Sequence, residues 1–135
     1  MQIIPYLILN GTAKSAFEYY ATVLDGEIVS AQSFGDMPPS EDFPVSDELK
    51  PKMMNIILQI GQNTIMASDS WDGTDPDKAG CSLSIQINDL EDAKSKFDKL
   101  ADGGQVTMPF EPTFWAKGFG SCIDKFGVHW MVNCE

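Results

Sequence analysis

Apolar and polar positions along the chain fall into short runs of two kinds, one with strand spacing and one with helical spacing. Ile3, Ile4, Tyr6, Leu7, Ile8 and Leu9 form a run whose length and β-prone composition predict a buried strand over residues 2–9. Asn10-Gly11-Thr12 then turns the chain and offers a helix cap. Between Ala13 and Leu24, apolar residues recur at helical spacing (Ala16, Tyr19, Tyr20, Val23, Leu24). Asp25-Gly26 ends that helix with a glycine suited to the left-handed cap. Glu27 to Phe34 predicts a second strand, and the acidic, proline-rich stretch Gly35 to Pro51 a mobile surface loop. Met53–Ile60 and Thr64–Asp69 predict a hairpin around Gly61-Gln62-Asn63. A polar loop from Ser70 to Gly80 divides the chain.

The second half repeats the pattern of the first. Ser82-Leu83-Ser84-Ile85-Gln86-Ile87 alternates strictly, as a half-buried strand does. Asp89 caps a helix through Leu100 whose Leu90, Ala93, Phe97 and Leu100 share a face, and Asp102-Gly103-Gly104 stops it. Three more strands are predicted at Gln105–Phe110, Phe119–Asp124 and Val128–Cys134. Each half is strand, helix, then three strands, a repeat of pattern rather than of sequence.

Composition narrows the classes. A chain of 135 residues predicts one domain, able to bury about two thirds of its extended surface. With 43% apolar residues it folds as a soluble globule. A net charge of -11 argues against nucleic acid and anionic membrane partners, which need clustered Lys or Arg. No apolar run reaches the roughly 20 residues of a membrane span, and no basic leader precedes the first strand. Three cysteines (Cys81, Cys122, Cys134), odd in number and without C-x-x-C spacing, disfavour disulfides and a zinc knuckle. The cytoplasm is the expected compartment.

The markers Pro5-Tyr6-Leu7, Asn10-Gly11, Phe17-Glu18-Tyr19-Tyr20 and Gly26 stand in order in the first half. They continue with Ile60-Gly61, Met66-Ala67-Ser68-Asp69, Leu100, Gly103-Gly104, Met108-Pro109, Trp115, Gly120, Asp124, Phe126-Gly127 and Trp130. In this order and spacing, end to end, the chain resembles the PhnB-like branch of the vicinal oxygen chelate superfamily, which includes glyoxalases, ring-cleaving dioxygenases and bleomycin-binding proteins. The resemblance implies an α+β fold over residues 1–135. Two β-α-β-β-β modules, about 1–69 and about 80–135, would form an open, curled mixed sheet with a U-shaped cleft. It also implies a homodimer and, in metal-dependent members, a divalent cation held by His and Glu from equivalent strands, acting as a Lewis acid.

Carried over residue by residue, those ligand positions fall on Pro5 or Tyr6, at or next to Ser82, near Met66 and near Met131. A histidine often found on the third strand is replaced by Asn55. None is the imidazole or carboxylate that a divalent transition metal prefers, so no metal or other cofactor is expected. Relatives sometimes bear a demethylubiquinone methyltransferase label. The sequence has no feature that would hold a methyl donor, and no G-x-G-x-x-G turn for a dinucleotide.

Other residues offer milder chemistry. If Val128, Trp130 and Val132 face the helices, then His129, Met131 and Asn133 face the cleft. His129 there is either a general base or ligand-orienting group, or a histidine making one backbone hydrogen bond; the second is preferred. Asp69 and Asp124 read as turn-closing carboxylates before catalytic ones. The acidic string Asp69, Asp72, Asp75 and Asp77 lacks calcium-loop spacing and reads as a solvated loop. Ser82, Ser84 and Gln86 form a polar stripe opposite Leu83, Ile85 and Ile87, facing either a ligand or water. Trp115, Phe119 and Tyr6 would cover the apolar part of that ligand, with Trp115 at the cleft mouth and Trp130 in the core. The expected function is a small-molecule-binding protein; the alternative is a metal-dependent lyase, isomerase, dioxygenase or group-transfer enzyme acting on an oxygen-rich substrate.

Overall fold

A computed structural model describes all residues, 1–135, and divides the chain into two compact units, Met1–Pro76 and Asp77–Glu135. In the first, β1 (Tyr6–Leu9), β2 (Glu27–Ser33), β3 (Met53–Ile60) and β4 (Asn63–Asp69) form a sheet in the order β1-β4-β3-β2, with α1 (Ala13–Val23) packed on one face. In the second, β5 (Leu83–Gln86), β6 (Gln105–Glu111), β7 (Gly118–Ile123) and β8 (His129–Cys134) take the order β5-β8-β7-β6, with α2 (Leu90–Ala101) packed on one face. In each unit the first and last strands pair in parallel and all other neighbours are antiparallel. The fold is α+β, with two open four-stranded mixed sheets. The expected repeat is therefore an architectural one.

Helical spacing buries Ala13, Ala16, Phe17, Tyr20 and Val23 of α1, and Ala93, Phe97 and Leu100 of α2. Phe17 takes the core place expected of Tyr19, and Leu90 is exposed at the start of α2. These helix faces meet Leu9, Ile56, Leu58, Ile65 and Ala67 in one unit and Cys122, Trp130 and Val132 in the other. Trp130 lies in the core as its spacing suggests.

Several local expectations change. The first strand is a half-exposed edge beginning at Tyr6, because pairing with β4 starts there. Thr12 makes no side-chain cap; instead the Asp69 carboxylate accepts from the Gly11 and Ala13 N–H groups at 2.8 and 3.0 Å. At the end of α1, Asp25 and not Gly26 adopts the left-handed conformation, at φ 54°. Gly26 is needed for closeness, since a Cβ there would lie 2.9 Å from the Gln59 carbonyl oxygen. The loop after β2 is anchored at both ends. A one-turn 3-10 helix, Phe34–Asp36, buries Phe34, and Phe34 and Gly35 donate to the Lys52 and Lys50 carbonyls. Asp89 caps α2 by accepting from Asp92 N–H, as its position suggests.

Candidate functional site

The face of the second sheet opposite α2 carries the most organised polar chemistry. Alternation along β5 turns Leu83 and Ile85 one way and Ser84 and Gln86 the other. Register places Ser84 beside Met131 and Gln86 beside Asn133, and on the far side of β8 it sets Asn133 beside Phe119 and Met131 beside Ser121. Gly118 and Gly120 point at α2, where a Cβ would meet Phe110 and Phe97, so Phe119 between them must face the open side.

Trp115 reaches this face from the loop between β6 and β7. The Thr113 hydroxyl accepts from the Trp115 and Ala116 N–H groups, and Lys117 N–H donates to the Cys134 carbonyl, which fixes both ends of the turn. The indole Nε1–H then donates to Asn133 Oδ1 at 3.1 Å. Asn133 Nδ2 donates to Gln86 Oε1 at 2.9 Å, and Gln86 Nε2 to Ser84 Oγ at 2.9 Å. An indole can only donate, so it orients both amides and leaves the exposed Ser84 hydroxyl with its own proton to give. Phe114 and Phe119 flank the indole edge-on, with ring centroids 4.9 and 5.4 Å away. Trp115 is 49% exposed and Asn133 only 7%. A wet aromatic rim therefore stands over a buried amide.

The remaining sequence candidates occupy defined places. His129 and Met131 share the face of Asn133, but the His129 imidazole makes no hydrogen bond, not even the backbone one expected. Ser82 precedes β5 and lies outside the relay. In the first unit, Tyr6 and Ile57 flank Met66 on neighbouring strands, with Asn55 two residues along β3 from Ile57. By pairing, the counterpart of Tyr6 is Ser84 rather than Ser82, because both stand beside the equivalent methionines Met66 and Met131. The alternation along the last strand turns Asn133 toward the open face with His129 and Met131 but assigns it no role of its own. Asn133 hides behind the apolar run Trp130-Met131-Val132, and its two-residue step from Met131 was the available signal.

No three His, Cys, Asp or Glu side chains converge on a metal-sized site. With Tyr6, Met66, Ser84 and Met131 at the family's ligand places, the residues present do not fit a divalent cation. The two acids singled out from sequence are structural. Asp69 Oδ2 also accepts from Met53 N–H at 2.8 Å, so this carboxylate joins three segments rather than closing its own turn. Asp124 closes the turn before β8 by accepting from Phe126 and Val128 N–H, and it holds the Trp130 indole at 2.8 Å.

Residues 1–133 match the family model described as 3-demethylubiquinone-9 3-methyltransferase. The chain belongs to that family. It is 34% identical over 139 residues to Protein YjdN of Escherichia coli K12, covering 98% of this chain and 95% of the relative. The crystal structure of protein PA1353 from Pseudomonas aeruginosa is similar at 42% identity and TM-score 0.89, over 100% of this chain and 98% of that one. A putative 3-demethylubiquinone-9 3-methyltransferase, PhnB protein, from Bacillus cereus is similar at 25% identity and TM-score 0.82, with both chains fully covered. At the level of fold alone, the fosfomycin resistance protein FosX of Listeria monocytogenes matches at 12% identity and TM-score 0.65, over 99% and 92% of the chains. The chain is thus a PhnB-like member of the vicinal oxygen chelate superfamily. No helix in it is long and apolar enough to cross a membrane.

Proposed function

We propose that this chain is a small-molecule-binding protein that holds the carbonyl or other acceptor oxygen of an uncharged, partly aromatic ligand on the second sheet. The observation that carries the reading is the oriented relay Trp115–Asn133–Gln86–Ser84, which starts at an exposed indole packed on Phe119 and ends in a free hydroxyl donor. Polar groups locked by one another and bordered by aromatic surface give orientation and apolar contact together, the usual division of labour in a ligand site. A homodimer is the setting we propose on the strength of the family resemblance, in the cytoplasm on the strength of the three cysteines without disulfide spacing.

Metal-dependent lyase, isomerase, dioxygenase or group-transfer chemistry ranks lower, because the residues at the ligand places are poor donors for a divalent ion. Methyl transfer is not carried over from the family's description either. Strand-to-helix turns commonly cradle the anionic or nucleotide part of a cofactor. Here Asp69 fills the turn before α1 and Asp89 the turn before α2.

Native mass spectrometry of protein purified without chelators tests the reading, together with a fluorescence titration of Trp115 against aromatic amides and lactams. A dimer bearing an organic adduct, or quenching by members of the panel that Trp115→Ala abolishes, is expected. A stoichiometric divalent ion would move the metal-dependent reading to first place. Failure of both the adduct and the panel would remove the relay as a ligand site.

A further inference from the structure

Two buried side-chain polar atoms in this chain have no hydrogen-bond partner, Asn55 Oδ1 and Ser70 Oγ. Both belong to the β3–β4 region of the first unit. Asn55 stands opposite Gln32 of β2, and the pairing of Ile56 with Ala67 sets it opposite Ser68 of β4. Ser70 follows β4 directly. Its N–H donates to the Leu9 carbonyl at 2.7 Å, the same ladder step by which Met66 donates to Pro5. Alternation along that continued ladder sets Ser70 on the face of Met66 and Ser68, which is also the face of Asn55. Asp69, between the two serines, points the other way and is fully used by backbone donors.

Buried polar atoms are almost always paired, and leaving one unpaired costs stability. Two on one strand pair, at diagonal positions, is therefore a pattern to explain. Register adds to it: the β2–β3 pairing slips beside Asn55, between Gln32 and Ser33, and such irregularities gather near functional surfaces. The Asn55 side chain as a whole is half-exposed while its Oδ1 is closed off. Its χ2 torsion is broad and roughly two-fold, so a turn of the amide brings the oxygen to the open edge.

We propose that Asn55, with Ser70 beside it, forms a second subsite that accepts an N–H or O–H donor from an uncharged ligand, with a primary amide as the best-matched group. A primary amide N–H offers the donor that Asn55 Oδ1 lacks. The subsite reads a donor, whereas the relay of the second sheet presents one, and neither depends on the other.

Heteronuclear NMR with benzamide and N,N-dimethylbenzamide as probes tests it, since the two differ in the donor alone at the reading end. Benzamide should shift the Asn55 side-chain NH2 resonance and the backbone amides of Asn55, Ser68 and Ser70, binding at least five-fold tighter than its dimethyl analogue. Asn55→Leu should erase that preference, and Ser70→Ala should reduce it, with both variants folded by their thermal transitions. Equal binding of the two probes, or no shift at these residues with benzamide, would overturn the subsite. So would an Asn55→Leu variant that melts higher yet keeps the wild-type preference, because Asn55 would then be a packing defect only.

Discussion

The two units share one topology but hold it together differently. Each ends its helix with a residue in the left-handed region followed by a glycine pressed against the third strand. The first unit uses Asp25 then Gly26, the second Gly103 then Gly104. Each also relies on one buried aspartate. Asp69 reaches backbone donors 16, 56 and 58 residues away, whereas Asp124 serves a turn and an indole within six residues. The open sheet faces differ in the same spirit. The second is wired internally through Asn133, and the first keeps unpaired polar atoms at Asn55 and Ser70. A fold can thus be repeated while the interactions that fix it, and the chemistry on its face, are redistributed.

Removing the two aspartates probes that difference most strongly. Asp69→Ala leaves the buried Ala13 and Met53 N–H groups unpaired, at about 2 kcal/mol each, so a loss of about 4 kcal/mol is expected in urea denaturation. Asp124→Ala leaves the buried Val128 N–H and Trp130 Nε1–H unpaired, so the same count of donors gives about 4 kcal/mol, although the backbone bonds from Gly127 to Asp124 and from Asp124 to Val128 still close its turn. Equal losses would show that the span of the tether does not matter.

The pressed glycines come next. A Cβ on Gly104 would fall 2.1 Å from the Ile123 carbonyl oxygen, against 2.9 Å from Gln59 for Gly26. Gly104→Ala should therefore cost about 3 kcal/mol and Gly26→Ala about 1–2 kcal/mol, read as shifts in the denaturation midpoint. A smaller effect follows from exchanging the left-handed residues. Asp25→Gly should stabilise by up to about 1 kcal/mol and Gly103→Asp should destabilise by about as much, since L side chains resist that conformation. Opposite signs in calorimetry would establish that the two positions are equivalent.

The mildest test uses pH. All three cysteines lie in the second unit, and Cys122, 1% exposed, has its thiol pushed up from 9.0 to about 11 by burial and then by the Asp124 carboxylate. A thiol that holds its proton more tightly when folded contributes fully below about pH 9 and loses that contribution as pH climbs through about 11. Stability should fall over that window in the native protein and more shallowly in Cys122→Ala. In a thiol-reagent assay at pH 8, exposed Cys81 alone should react while the protein stays folded.

Much of the fold was legible in advance because periodicity is written between near neighbours. Alternation at Leu83–Gln86 and three-four spacing along α1 and α2 need no distant partner to be recognised, and they marked every strand and both helices to within a few residues. The ordered family markers likewise placed the chain among PhnB-like proteins. What escaped lies across the sheet. That Asp69, not Thr12, caps α1, that Asp25 rather than Gly26 takes the left-handed turn, and that Asn133 joins Trp115 to Gln86 all depend on strand register and loop closure. Sequence alone determined the order and type of the elements, the faces their helices bury and the family they build. The tertiary structure decided which polar groups pair and which stay open, because a side-chain hydrogen bond needs an atom within about 3 Å, and only the folded register supplies one.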